Sequence, residues 1–248
     1  MERKEYIVKI LISMFIKYIE NNEEADNQNL MDIFETVFMI AFEQICSQDY
    51  DTAMQHLSSY FTQLLVLLNR GIIYSENFRV NILQGQEPEK TCQFLENWFE
   101  KMSFLMLNYA RRINQLAITY ILPLLSKDFL ILTFPKMASV LLYAVDSDIY
   151  VQNAKKKEDF YSPEKVESYE TVSVVKNVNA RGSKRLADLR SQDKLIQVDL
   201  VESFMINLQK LCMNLEINEH DLAGLLEEEK HKKTLMSIIT KAQDLYKD

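Results

Sequence analysis

The sequence predicts an all-α protein, either an irregular multi-helix bundle or a short helical solenoid, with one long central helix. Two observations lead to this fold class. Apolar residues recur at the helical spacing of i, i+3, i+4 and i+7 along most of the chain. Glycine, which permits the tight turns between strands and helices, occurs 4 times in 248 residues, against roughly 17 expected at average usage.

The N-terminal part of the chain contains three predicted amphipathic helices, over residues 2–21, 28–46 and 50–69. Gly71 fits the C-terminal end of the third, because glycine often follows the last helical residue. Residues 72–84 follow neither the helical nor the strand period cleanly, and we expect a short helix there. The apolar face of the first helix comprises Ile7, Ile10, Leu11, Met14, Phe15, Tyr18 and Ile19, and that of the second comprises Leu30, Ile33, Phe34, Val37, Phe38, Ala41 and Ile45.

An apolar stripe over residues 94–120 predicts the long central helix, either single or bent near Asn108, because no helix breaker occurs between Pro88 and Pro123. Apolar residues also fill the opposite side of this stripe, which indicates contacts on several sides. Trp98 lies one helical turn from neighbouring apolar residues of the stripe, so we expect it to be buried.

The segment after Pro123 is ambiguous. The apolar run at 129–134 could form a buried strand, and a helix follows over 136–146. The charged stretch that comes next contains a loosely alternating segment at 169–175, which could form a second strand.

Helical periodicity returns near residue 195 and continues to the last apolar residues of the chain. Within this part Asn218 is placed to cap a short helix, about 219–228. The resulting organisation is a helical body over 1–146, an exposed charged linker or loop over 147–194, and C-terminal helices over 195–248 that pack back on the body.

Composition narrows the possible environments and partners. The net charge of −8 disfavours non-specific binding to nucleic acid and adsorption to anionic membranes. Because no secretory signal and no run of 18 apolar residues is present, we expect no membrane insertion. Cys46, Cys92 and Cys212 form no CxxC pair, and buried thiols of this kind fit an intracellular, cytoplasmic location.

The sequence contains no recognisable catalytic, cofactor-binding or metal-binding residues. Its glycines are too far apart for a phosphate-binding loop, and no GxSxG or HExxH motif occurs. A di-iron bundle requires two ExxH motifs, whereas only Glu228 and His231 have that spacing. We therefore expect no cofactor.

A basic segment is the most specific functional candidate in the sequence. Arg181, Ser183, Lys184 and Arg185 lie together in the charged stretch. They could bind an acidic protein partner, or Ser183 could be phosphorylated. The alternative is a solvated loop without a binding role.

These features predict a non-enzymatic protein that binds other proteins, as a scaffold, adaptor or regulatory subunit of an intracellular complex. Two alternatives remain open at this point. The aromatic and methionine side chains of 94–120 could line the cavity of a helical carrier for a hydrophobic ligand or lipid. An enzyme whose site assembles from distant helix positions would also escape detection in one sequence.

Overall fold

The structure, a computed structural model, describes residues 2–20, 28–46, 59–102, 108–158 and 193–246. Regular structure in these ranges is entirely helical, which confirms the all-α class. The helices are α1 Glu2–Phe15 (continued by a π turn, Ile16–Glu20), α2 Gln28–Cys46, α3 Ser59–Tyr74, α4 Glu76–Gln84, α5 Pro88–Met102, α6 Asn108–Ile121 (followed by a 3-10 turn, Leu122–Leu124), α7 Lys127–Glu158, α8 Lys194–Gln197, α9 Leu200–Leu215, α10 Glu219–Gly224 and α11 Glu229–Leu245.

The longer helices pack in two rows that follow their order along the chain. In the first row α1 packs on α3, α3 on α6 and α6 on α9. In the second row α2 packs on α5, α5 on α7 and α7 on α11, and contacts of α2 with α3 and of α7 with α9 join the rows. This is the arrangement of a short helical solenoid. Helices α1 and α2 form its N-terminal layer, and α9 and α11 form its C-terminal layer.

The most deeply buried helices are α3 and α6, in the middle of the first row. Every residue from 64 to 73 in α3 and from 113 to 119 in α6 is buried. The α3 stretch is apolar except at Asn69, Arg70 and Gly71, whereas the α6 stretch includes the buried polar residues Asn114, Gln115 and Thr119. Continuous burial over about two turns or more shows that both helices are covered on all sides. The prediction of a central helix over 94–120, either single or bent near Asn108, is corrected to two helices, because Trp98 and Asn114, which one straight helix would hold about 24 Å apart, are hydrogen-bonded. Residues 94–102 belong to α5, residues 108–120 belong to α6, and residues 103–107 lie outside the described part of the chain.

Trp98 in α5 is fully buried, which confirms the prediction for this residue. Its indole Nε1 donates a hydrogen bond to Asn114 Oδ1 at 2.9 Å. Its ring stacks on Phe94 and Phe99 at centroid distances of 5.5 and 5.3 Å. These rings fill the core where α5 meets α6.

The prediction of a possible strand at 129–134 is wrong, because these residues lie inside α7, the longest described helix at 32 residues. Leu130, Phe134 and Met137 are buried whereas Ile131 and Leu132 are exposed, a helical pattern that a continuous apolar run conceals. The helix passes through Pro135 and ends at Glu158, 12 residues beyond the predicted end at 146. The other candidate strand, 169–175, lies outside the described residues.

Gly71 was predicted to end α3, but it lies within this helix, which continues to Tyr74. A Cβ atom at this position would approach the Phe38 ring of α2 to 2.6 Å. Glycine here allows α2 and α3 to pack closely. The predicted start of this helix, near residue 50, lies outside the described residues.

The C-terminal helices contact earlier ones, α9 with α6 and α11 with α7. Asn218 caps α10 by accepting a hydrogen bond from the Asp221 backbone N–H at 3.0 Å, which confirms its predicted role. Helix α9 ends at Leu215, and its C-cap Glu216 has a φ of 53°, in the left-handed region.

Among the described helices, the segment Lys127–Asn153 of α7 has the length and composition of a membrane span, with a mean hydropathy of 1.5. Of its most apolar window 44% is buried within the fold, and core helices of soluble proteins pass the same test.

Candidate interaction surface

Helix α1 carries large apolar side chains on two opposite sides. Val8, Ile12 and Phe15 face inward and are buried against the fold. The outward side is also apolar, although the outward side of a terminal helix is usually polar. Its exposed residues are Tyr6 (68%), Ile7 (56%), Ile10 (44%), Met14 (40%) and Tyr18 (40%).

Helix α2 exposes two large apolar side chains among polar ones such as Asn29, Asp32 and Thr36. Ile33 and Ile40 are exposed to 61% and 59% and lie two helical turns apart on the outward side. The ring of Phe15 joins the two helices beneath the surface, with its centroid 4.9 Å from that of Phe34 and 5.5 Å from that of Phe38. We call the outward sides of α1 and α2, with these seven exposed apolar residues, the N-terminal end surface.

The charges beside the N-terminal end surface differ between its two helices. Helix α1 and its π turn carry charges of both signs, at Glu2, Arg3, Lys4, Glu5, Lys9, Lys17 and Glu20. Lys9 pairs with Glu5, and Lys17 Nζ lies 5.0 Å from the centre of the Tyr18 ring. Helix α2 contains no Lys or Arg. It carries exposed carboxylates at Asp32 and Glu43, of which Glu43 also pairs with Lys90. Helix α2 is thus acidic, whereas α1 carries charges of mixed sign.

The end surface corrects two details of the predicted helix faces. Ile7, Ile10, Met14 and Tyr18 of α1, and Ile33 of α2, were expected on the core side and are exposed instead. The signal in the sequence was the near-continuous apolar composition of residues 6–19, which places apolar residues on every side of a helix. Periodicity alone could not show which of the two sides is buried.

A buried ion pair connects the first and last parts of the described chain. Arg70 of α3 and Asp193, which caps α8, both have fully buried side chains and form a salt bridge. Tyr109 of α6 accepts from Arg70 Nη2 at 2.7 Å and donates to Asp193 Oδ2 at 2.8 Å. Burial raises the pKa of Tyr109 to about 12, so its hydroxyl keeps its proton at neutral pH. Because these groups are enclosed, the cluster anchors the chain and is closed to solutes.

A second set of polar contacts holds residues 198–199. Asp199 caps α9 and accepts hydrogen bonds from Gln152 Nε2 and Tyr246 Oη, both at 2.9 Å. Arg112 pairs with Asp148 and donates to the Val198 carbonyl at 3.1 Å. Together with Asp193, these groups attach the C-terminal layer to α6 and α7.

One open cleft of about 470 Å³ lies where the turn after α4 meets the turn after α6. Its lining includes Gln86, Pro123, Phe129 and Asn214 and contains no charged side chain. Such a lining can take up an uncharged group, but it supplies neither a general acid or base nor a cation for phosphate.

The basic segment predicted from the sequence, Arg181, Ser183, Lys184 and Arg185, lies outside the described residues, and so does His56. His220 is exposed, and His231 Nδ1 lies 3.7 Å from Glu228. Within the described ranges, no group of three His, Cys, Asp or Glu side chains could hold a metal ion.

The three cysteines are unpaired thiols of different exposure. Cys46 is buried, whereas Cys92 and Cys212 are partly buried, so the expectation of three buried thiols holds fully for Cys46 alone. Burial raises the pKa of Cys92 and raises that of Cys212 to about 11. These two thiols are therefore protonated at neutral pH and are poor nucleophiles.

Comparisons with protein-family models, with curated proteins and with solved structures gave no significant match.

Proposed function

We propose that this chain is a non-enzymatic interaction protein, a scaffold, adaptor or regulatory subunit, that binds protein through its N-terminal end surface. One observation carries the proposal: seven large apolar side chains lie exposed on two neighbouring helices at the end of a solenoid. Exposed apolar patches of this kind mark contact surfaces, because leaving them in water is unfavourable. The terminal layer of a solenoid normally has a polar outer side.

The packing of the aromatic side chains supports an interaction protein over a ligand carrier. The carrier hypothesis depended on the aromatic and methionine residues of 94–120, of which residues 103–107 lie outside the described part of the chain. Phe94, Trp98 and Phe99 are buried and stacked on one another, and Phe94 also packs on Phe42 at 4.9 Å. Side chains that fill the core in this way are not available to line a ligand cavity.

The basic segment at 181–185 remains a proposed second contact region for an acidic partner. Reversing the charges at Lys184 and Arg185 would weaken such a contact without changing the unfolding free energy by more than about a few tenths of a kcal/mol. We also propose an intracellular, cytoplasmic location, which the three unpaired cysteines support.

Affinity capture from cells with matched variants tests the proposed function. Ile10→Glu places a charge in the middle of the N-terminal end surface. Tyr143→Glu is the control, because Tyr143 is 80% exposed on α7, outside that surface. We expect a protein that co-purifies in stoichiometric amount with the wild type and with the control to be lost with Ile10→Glu. Capture that is identical for all three chains would contradict the proposal.

A further inference from the structure

We propose that the open cleft between the turn after α4 and the turn after α6 is a further protein-binding site, which takes up an extended peptide segment with uncharged residues at its centre. The inference goes beyond the proposed function, because the described residues that line the cleft belong to neither α1 nor α2. The occupant is a short stretch of a partner chain rather than a folded surface.

The lining of the cleft combines primary amides with apolar side chains. The amides are those of Gln84, Gln86 and Asn214. Most of the remaining lining is apolar and comprises Leu83, Pro88, Pro123, Leu124, Leu125 and Phe129. A peptide group has one hydrogen-bond donor and one acceptor, and a primary amide supplies both. The amides can therefore pair with the backbone of a peptide while the apolar lining contacts its side chains.

Hydrogen bonds between the walls give the cleft a defined shape. Asn214 Nδ2 donates to the Pro123 carbonyl at 2.9 Å, which fixes the end of α9 to the turn after α6. Gly85 N–H bonds to the Asn81 carbonyl at 3.0 Å, and Gln86 Nε2 donates to Asn81 Oδ1 at 2.9 Å. These bonds position two of the three amides. A preformed site loses less conformational entropy when a ligand binds.

The charges around the cleft favour an uncharged segment over an acidic one. No charged side chain of a described residue lines the cleft. The charged residues directly adjacent in sequence to the lining are Glu87, Glu89, Lys127 and Asp128, all of which are exposed. Three of these four are acidic. Nucleic acids and phosphorylated peptides require cations that pair with phosphate, and these residues supply one lysine.

The size and openness of the cleft favour a peptide over a small molecule. Its volume of about 470 Å³ lies in the range of ligand sites, ~300–1,000 Å³. Small-molecule sites enclose most of their ligand, whereas Gln84, Ser126 and Asn214 of this lining are exposed. The cleft thus leaves one side of its occupant in water. An extended peptide fits this geometry, because its side chains alternate between two opposite sides.

Selection from a phage-displayed library of random seven-residue peptides, with the full chain as the immobilised protein, tests the proposal. Synthetic copies of the enriched peptides are then titrated by fluorescence anisotropy. We expect enriched peptides with uncharged central residues and few acidic residues. Failure to enrich any peptide, or enrichment of acidic peptides, would overturn the proposal.

Substitutions in the cleft show where the selected peptides bind. Gln84→Met keeps the length of the side chain but removes its donor and acceptor, and Phe129→Ala removes apolar lining. Each should weaken binding about tenfold, because peptide groups or side chains lose their partners. The matched control is Gln243→Met, since Gln243 is exposed on α11, outside the cleft. Circular dichroism of each variant checks its fold. Equal affinity for the wild type, Gln84→Met and Phe129→Ala would contradict binding in the cleft.

The two proposals fail in different ways. Peptides that bind the wild type and Ile10→Glu equally but lose affinity for Gln84→Met support the cleft, whatever the capture experiment shows for the N-terminal end surface. Peptides that lose affinity for Ile10→Glu and retain it for Gln84→Met bind the N-terminal end surface instead. That result would overturn the cleft proposal and leave the proposed function standing.

Discussion

Helix α1 in the N-terminal layer and helix α11 in the C-terminal layer each place one apolar face on the rest of the protein. In α11 the buried face contains Leu235, Ile238 and Ile239, and the outer side carries exposed polar residues, Lys233 and Thr240. In α1 the buried face is similar, whereas the outer side is apolar. Both helices therefore contribute large buried apolar side chains to the core. The difference between these two helices lies in what each presents to its surroundings, and the contact role proposed for the N-terminal end is based on it.

The largest effect is expected from breaking the attachment of the C-terminal layer. Asp193→Ala leaves Arg70 as a buried charge without its carboxylate, which should destabilise the fold by roughly 3–5 kcal/mol. Adding Arg70→Met should recover much of this loss, because no uncompensated charge then remains buried. Urea unfolding monitored by circular dichroism measures both. A loss below about 1 kcal/mol for Asp193→Ala would show that this ion pair does not attach the layer.

A pair of glycine substitutions compares the packing of the two ends. Gly71→Ala places a methyl group 2.6 Å from the Phe38 ring, between α2 and α3. We expect it to destabilise the protein by roughly 1–3 kcal/mol, as overpacked cores do. Gly224→Ala in α10 meets no atom within 4 Å. It should be neutral or stabilise the helix by up to about 1 kcal/mol. Equal effects at the two positions in thermal unfolding would contradict the close approach of α2 to α3.

A smaller, stabilising change is expected at the end of α9. Glu216 has a φ of 53°, and its N–H bonds to the carbonyls of the last turn. Glycine adopts this conformation without the penalty of a Cβ atom. Glu216→Gly should therefore raise the unfolding free energy by about 0.5–1 kcal/mol. Glu216→Ala, which keeps a Cβ, is the control and should show no such gain.

The smallest effect is expected on the outer side of α1. Ile10→Glu should change the unfolding free energy by no more than about 0.5 kcal/mol, because Ile10 is 44% exposed and lies outside the buried core. Ile12→Ala, on the buried side of the same helix, should lose roughly 2–5 kcal/mol. Urea unfolding monitored by circular dichroism compares the two. Comparable losses would mean that both sides of α1 are core.

Much of the fold could be predicted because helical periodicity is a local property. The all-α class, the burial of Trp98 and the cap at Asn218 all follow from residues within a few turns of one another. Errors arose where one local pattern allowed two structures. A continuous apolar run such as 129–134 is compatible with both a buried strand and a buried helix. The helix is recognised only from the helical spacing of the buried residues, which continues to Met137.

The candidate surface could not be predicted in the same way. Residues 6–19 supply apolar side chains on all sides of α1, so several choices of buried face satisfy the pattern equally well. The choice of Val8, Ile12 and Phe15 depends on the shape of α3 and the Phe34 and Phe38 rings, which come from distant parts of the chain. The remaining apolar residues are exposed as a result.

The sequence by itself determined that this protein is helical, where many of its helices lie and which local caps end them, because these depend on interactions between residues a few positions apart. Only the tertiary structure decided that Arg70 meets Asp193, 123 residues away, and that α1 turns an apolar side outward. Both depend on which helices become neighbours. That is settled by packing over the whole fold, and no single stretch of sequence encodes it.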